Sequence, residues 1–176
     1  MKALILSAGL GTRLRPLTNR VPKPMIKVAG KPVLEHIVEK LESLGIDQII
    51  ANTHYKPEVI YNYFGPRLLY SYEPQLLGEE GTVESLKRWF LNDYTVVMNG
   101  DTLTTLDILK MMEMSDGKSV MSVDGNIYTG CKILSPDYFR GNKRMSKYFD
   151  ASVKWFDIGT FSGLMKAREY YEGGLI

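Results

Sequence analysis

Apolar residues along the chain fall alternately in short runs and at helical spacings. Leu4-Ile5-Leu6 is a short apolar run that ends in Ser7-Ala8-Gly9, the pattern of a buried strand entering a glycine-rich loop. Val33, Leu34, Ile37, Val38, Leu41 and Leu44 recur at helical spacing, and Gly45 closes that helix. The pattern then predicts a strand over 48–52, a helix opened by Pro57 that carries Val59, Ile60 and Phe64, and a strand over 68–72. A helix over 82–91 sets Val83, Leu86 and Phe90 on one face. Residues 94–98 form a strongly apolar strand, followed at once by Asn99-Gly100-Asp101.

Continuous apolar strands between amphipathic helices imply an α/β fold with a mainly parallel sheet covered on both faces. The second half is less regular. It predicts a helix over 106–114, strands over 120–123 and 127–134, and a closing helix over 161–171. No internal repeat, low-complexity tract or linker interrupts the chain, so residues 1–176 are expected to form one domain.

Charge changes this picture little. The 22 basic and 20 acidic residues leave a net charge of only +2, without the basic stripe of a nucleic-acid binder. The early cluster Arg13, Arg15, Arg20, Lys23, Lys27 and Lys31 instead suits a small anionic ligand. Cys131 is the one cysteine, which excludes an intrachain disulfide and a four-cysteine zinc site. The opening apolar run ends before Gly9, too short for a signal peptide or a membrane span, so a cytoplasmic protein without membrane partners is expected.

The most informative stretch is Leu6-Ser7-Ala8-Gly9-Leu10-Gly11-Thr12-Arg13. A strand ends, two glycines let the backbone approach a ligand, and an arginine follows. Backbone N–H groups in such a loop cradle phosphate oxygens, and a guanidinium adds a fork of charged donors. It is not a Walker loop, because no Gly-Lys-Ser/Thr ends it. It is not a dinucleotide fingerprint either, because Leu14 stands where the third glycine belongs. In Val21-Pro22-Lys23-Pro24-Met25 the flanking prolines hold the backbone extended and fix where Lys23 points.

Gly9-Leu10-Gly11-Thr12-Arg13-Leu14-Arg15-Pro16-Leu17-Thr18 followed by Pro22-Lys23-Pro24-Met25 resembles the opening of the sugar-1-phosphate nucleotidyltransferases. The resemblance continues through Gly30-Lys31-Pro32-Val33-Leu34, Asn52-Thr53-His54-Tyr55, Glu73-Pro74, Leu77-Gly78 and Asn99-Gly100-Asp101, and reappears at Trp155-Phe156-Asp157-Ile158-Gly159-Thr160. It implies a single Rossmann-like sheet of the nucleotide-diphospho-sugar transferase type. It also implies a nucleoside triphosphate and a sugar 1-phosphate as substrates, and Mg²⁺ as cofactor. By the same resemblance, Arg13 and Lys23 are the catalytic cations, and Asp101 and Asp157 are the metal ligands. Leu6, Ala8, Gly9, Gly11, Thr12, Arg13, Glu73 and Gly78 line the nucleotide. A glutamine often stands at the position of Glu73 in thymidylyl- and uridylyl-transferring members. An ionised glutamate only accepts hydrogen bonds, and guanine offers two adjacent donors, so Glu73 favours GTP.

Two departures from the pattern stand out. The loop usually reading Leu-Gly-Thr-Ala-Gly is here Leu77-Gly78-Glu79-Glu80-Gly81. Its two added acids either repel a bound anion or open a helix, whose dipole favours them. The stretch between Asp101 and Asp157 is also shorter than the family's, and its Glu-Lys-Pro lysine has no counterpart; Lys118 and Lys132 are candidates by proximity alone. This shortening leaves two alternatives open: transfer to a small phosphorylated alcohol such as phosphocholine, and a catalytically weak nucleotide-binding module. Tyr61, Tyr63, Tyr70 and Tyr72 belong to core, rim or interface, which leaves room for a homo-oligomer.

Overall fold

The computed structural model describes residues 1–173. The chain opens with β1 (Lys2–Leu6), three 3₁₀ turns at Thr12–Leu14, Leu17–Asn19 and Lys23–Met25, and a small ribbon of β2 (Lys27–Val28) and β3 (Lys31–Pro32). There follow α1 (Val33–Ser43), β4 (Ile49–Thr53), α2 (Pro57–Phe64), β5 (Leu69–Tyr72), α3 (Gly78–Ser85), α4 (Lys87–Phe90) and β6 (Thr95–Asn99). The second half holds β7 (Thr102–Thr104), α5 (Ile108–Met114), β8 (Val120–Asp124), β9 (Ile127–Leu134), α6 (Pro136–Phe139), β10 (Ser146–Tyr148), β11 (Trp155–Asp157) and α7 (Phe161–Tyr171).

Seven strands form one sheet in the order β10-β8-β9-β6-β1-β4-β5. β1 is parallel to β4 and β6, β4 to β5, and β8 to β10; β9 alone runs against its neighbours. The mainly parallel α/β sheet expected from the apolar runs is therefore present. Alternate residues of the central strands face two cores. Ala3, Ile5 and Ala51 join the α1, α2, α5 and α7 side chains Ile37, Ile60, Met111 and Leu164. Leu4, Ile50 and Val97 join Val83 of α3, Phe90 of α4 and Phe139 of α6. Each such large side chain contributes about 1.5–3 kcal/mol on burial, so both faces need cover, and helices supply it.

Several boundaries differ from the pattern. The single helix expected over 82–91 is two, because the backbone turns at Leu86 (φ −99°, ψ 3°) and re-aims Phe90 into the second core. The first of them starts earlier, at Gly78, whose φ of +71° turns the chain into it. β7, β10 and β11 carry no periodicity long enough to predict. Tyr61 and Tyr70 pack ring to ring at 4.5 Å, whereas Tyr63 and Tyr72 are exposed. No helix among the described residues is long and apolar enough to cross a membrane.

Cys131, on β9 inside the first core, is fully buried, and burial pushes its thiol up to about 12. Its contribution to stability is fully present below the ordinary thiol value of about 8.5 and is lost as pH rises from there toward 12, because only the unfolded chain then ionises. A thiol reagent at pH 8 is expected to label Cys131 at the rate of unfolding; labelling within the mixing time of native protein would contradict the burial.

Candidate functional site

Out of β1 the chain moves one way, through β4 and β5, and then returns to the other side of β1 as β6. This reversal opens a crevice at the carboxyl ends of β1 and β6, where open α/β sheets take their ligands. The glycine loop leaves β1 there, and Asp101 leaves β6 there. The two ends are bound together by the Gly100 N–H donating to the Leu6 carbonyl at 2.9 Å. A Cβ on Gly100 would lie 2.9 Å from that carbonyl oxygen and 3.1 Å from Ser7 Cα, so the approach requires glycine.

The loop from Leu6 to Thr12 crosses the crevice, with Ser7 and Ala8 buried and Gly9, Leu10 and Thr12 exposed. Gly11 has φ +63°, and a Cβ there would strike Thr18 Cγ2 at 2.9 Å and Lys23 Cβ at 3.0 Å. Thr18 Oγ1 donates to the Gly11 carbonyl at 2.8 Å, and Tyr55 Oη donates to the Thr18 carbonyl at 3.0 Å, so the loop is tied to the chain after β4. Pro22 and Pro24 frame the third 3₁₀ turn, and the Ile26 N–H closes it on the Lys23 carbonyl at 3.1 Å. The Lys23 side chain then passes over Gly9, its Nζ 3.7 Å from where a Cβ would stand, and forms an ion pair with Asp101 Oδ2.

Asp157 arrives from the far end of the sequence. β11 pairs antiparallel with β7 so that Asp157 lies opposite Thr102, and the Ile158 N–H donates to the Asp101 carbonyl at 2.9 Å. Its Oδ1 accepts from the Gly159 N–H at 2.6 Å. A Cβ on Gly159 would lie 2.8 Å from Asp157 Oδ1 and 3.1 Å from Arg13 Nη2, which places the Arg13 guanidinium beside this carboxylate. Arg13, Lys23, Asp101 and Asp157 are thus gathered around one crevice from four separate segments.

Glu73 comes to the same edge but faces inward. It is buried, Oε1 accepts from Asn52 Nδ2 at 2.9 Å and from Thr82 Oγ1 at 2.5 Å, and Oε2 accepts from the Leu77 N–H at 3.1 Å. Asn52 Oδ1 in turn accepts from the Ser7 N–H at 2.6 Å. The expected donors of a guanine are therefore replaced, in this arrangement, by donors of the chain itself. Asn52, Thr82 and Ser7 are the polar residues the sequence reading left without a role. Their signal is that Asn52-Thr53 ends the apolar run Ile49-Ile50-Ala51 with two buried polar side chains. Gly78 begins α3 in the open.

Glu79 and Glu80 stand in the first turn of α3, as the helix-opening alternative required. Lys118 pairs with Asp116 ahead of β8. That turn lies at the opposite end of the sheet from Asp101, because β8 runs in the same direction as β6. Lys132 is nearer, on β9 opposite Val97, and is paired with Glu79.

The crevice, its glycine loop and its facing cations and carboxylates lie together at the switch point of an α/β sheet. A family model described as "Nucleotidyl transferase" matches residues 2–129, and the chain belongs to that family. D-glycero-alpha-D-manno-heptose 1-phosphate guanylyltransferase of Aneurinibacillus thermoaerophilus is 42% identical over 118 residues, which cover 64% of this chain and 51% of that protein. UTP–glucose-1-phosphate uridylyltransferase of Synechocystis sp. is 36% identical over 139 residues, covering 69% of this chain and 36% of that protein. The chain thus spans about half, or less, of the length of these relatives. The crystal structure of HddC from Yersinia pseudotuberculosis complexed with GMP-PN shares the fold, with a TM-score of 0.78 at 24% identity over 97% of this chain and 99% of that one.

Proposed function

We propose that this chain transfers a nucleoside monophosphate from a nucleoside triphosphate, GTP in preference, to a sugar 1-phosphate, releasing pyrophosphate. The observation that carries the reading is the gathering at the switch-point crevice of Lys23, ion-paired with Asp101, and of Arg13 and Asp157, which both border Gly159. The guanylyltransferase among the relatives and the GMP-PN complex of HddC support GTP.

The donor set fits a divalent cation. Asp101, in the turn just before β7, and Asp157, at the end of the paired β11, are hard oxygen ligands, and Asp101 already attracts the ammonium of Lys23. Among the described residues no cluster of three or more His, Cys, Asp or Glu is placed to hold a metal, so phosphate oxygens and water would complete the shell, as Mg²⁺ prefers. When bound there, Mg²⁺ supplies positive charge to the phosphates and lowers the repulsion between two anionic substrates.

The chain's own residues then do the following. The glycine loop cradles the triphosphate with its N–H groups. Arg13 takes the β- and γ-phosphates and stays with the departing pyrophosphate. Lys23 lies between the α-phosphate and the incoming sugar phosphate. A sugar phosphate oxygen attacks the α-phosphorus in line, and the bond to the bridging oxygen of the pyrophosphate breaks. An ionised phosphate is already a nucleophile, so positioning and charge neutralisation carry the rate and no general base is required. Pyrophosphate release, measured with each common triphosphate against hexose and heptose 1-phosphates and phosphocholine, is expected to be fastest with GTP and one sugar 1-phosphate. Silence across that panel, from folded protein that binds nucleotide, would refute the transferase reading.

A further inference from the structure

α7 joins two segments of the crevice that lie far apart in the sequence. Its first turn stands against Asp157. Thr160 Oγ1 caps that turn by accepting from the Gly163 N–H at 3.1 Å, and a Cβ on Gly163 would overlap the Asp157 carbonyl oxygen. Its other end reaches the ribbon of β2 and β3, which follows directly on the turn that carries Lys23. Arg168 donates through Nε and Nη2 to the Lys27 carbonyl at 3.4 and 3.2 Å. Glu172, just past the helix, accepts from the Ala29 N–H at 2.9 Å through Oε1. Leu164 and Ala167 are buried in the first core, so the helix has a fixed seat between the two segments.

Two features of this arrangement are unexplained by core packing. Ala29 has φ +49°, beside Gly30 at φ +78°. The left-handed region is costly for a residue with a Cβ, and such a conformation persists only where its surroundings hold it. The second feature is how completely the ribbon is held. Three successive residues each give a backbone group to a different side chain: Lys27 to Arg168, Val28 to His36, whose Nε2 donates to the Val28 carbonyl at 2.8 Å, and Ala29 to Glu172. The His36 ring lies 5.7 Å from that of Tyr171, which meets Phe156, the residue before Asp157, edge-on at 6.0 Å. The Arg168 and Glu172 bonds lie at the surface, where a hydrogen bond adds little to net stability, so they are poorly explained as structural props.

We propose that Arg168 and Glu172 are positioning residues for the transfer, which hold the segment of Lys23 in register with Asp157 through the body of α7. The inference rests on the transferase reading above and names what aligns its charged groups. Both side chains act on the backbone of residues 27–29 and reach the phosphates only through it. The Lys23–Met25 turn runs through Ile26 straight into this ribbon, so a ribbon free to shift carries the ammonium away from Asp101. Lys23 has to meet two phosphates in the transition state, and a misplacement of about 1 Å in such a group costs up to roughly 10²-fold in rate. The glycine loop hangs from β1 and is tied to Thr18, away from α7, so binding of the triphosphate is left as it is.

Arg168→Ala combined with Glu172→Ala removes both ties. With GTP and the sugar 1-phosphate that the parent uses best, the double variant is expected to lower kcat about tenfold and to leave the GTP KM unchanged. Its thermal midpoint is expected to stay within about 2 °C of the parent, the usual range for surface substitutions. Glu172→Gln keeps the acceptor oxygen and is expected to match the parent, whereas Glu172→Ala is not. An unchanged kcat in the double variant of an active parent would overturn the positioning role and leave the transferase reading intact. So would a midpoint that falls in step with kcat, or a Glu172→Gln as slow as Glu172→Ala. A parent inert with every acceptor would overturn the transferase reading. The strut is then decided by acetic anhydride labelling of Lys23, scored by mass spectrometry against Lys118, whose side chain is 74% exposed. A several-fold faster reaction at Lys23 in the double variant upholds the strut, and an unchanged rate refutes it.

Discussion

Lys23→Ala is expected to lower the rate of pyrophosphate release by roughly 10²–10³, the effect of removing one preorganised charge worth about 3–4 kcal/mol in the transition state. The size follows from how firmly the ammonium is aimed. Pro22 and Pro24 restrict the backbone on both sides, and the turn is closed by Met25 N–H on Pro22 and Ile26 N–H on Lys23. The side chain is then threaded between Gly9 and Asp101 and is only 16% exposed. Lys23→Arg keeps the charge but brings a longer, planar head into a path already close to Gly11, so it is expected to recover only part of the rate. Arg13→Ala should fall as far, because its guanidinium stands beside Asp157 on the other side of the crevice. If Lys23→Ala turned over within a factor of a few of the parent at saturating substrates, the assignment would fail.

Glu73→Ala is expected to cost about 1–3 kcal/mol of stability, the cost of a buried donor left short of an acceptor. Three donors lose the carboxylate: Asn52 Nδ2, which keeps Thr82 Oγ1 at 3.2 Å, Thr82 Oγ1, which keeps the Gly78 carbonyl at 2.8 Å, and the part-buried Leu77 N–H. The loss spreads, because Asn52 also holds the Ser7 N–H at the start of the phosphate loop. Urea denaturation of parent and variant measures it directly; a difference under about 1 kcal/mol would mean that the network is not the role of Glu73. Glu73→Gln keeps one acceptor and is expected to fall between. The same variant tests base choice. If Glu73 met guanine directly, Gln would change the ratio of GTP to UTP use; a carboxylate occupied inside the protein predicts that the ratio holds while stability drops.

The Glu79–Lys132 pair shows how the two departures from the family pattern are connected. In the sequence, acids at 79 and 80 and a lysine at 132 are separate anomalies, 53 positions apart at the pair itself. In the fold they are one feature, because β9 turns back against β6 and brings Lys132 under the first turn of α3. A helix N-terminus accommodates both acids. The neighbouring cation gives one of them a partner.

Local stereochemistry and periodicity decided much of this protein from the sequence alone. An apolar run ending at Leu6, followed by glycines at 9 and 11, already implies a strand entering a phosphate loop, because both properties belong to neighbouring residues. The prolines around Lys23 act on the adjacent backbone, so a constrained lysine was legible, although as extended chain and not as the 3₁₀ turn Lys23–Met25 that the fold gives. The parallel sheet was legible because strands buried on both faces are apolar throughout. Only the tertiary structure decided which distant groups meet. Asp101 and Asp157 are joined through the β7–β11 register, which two strands of three residues each do not announce. Glu73 turns inward because Asn52 of β4, and Leu77 and Thr82 at the start of α3, converge on it, and a buried carboxylate must take the donors that packing brings within reach.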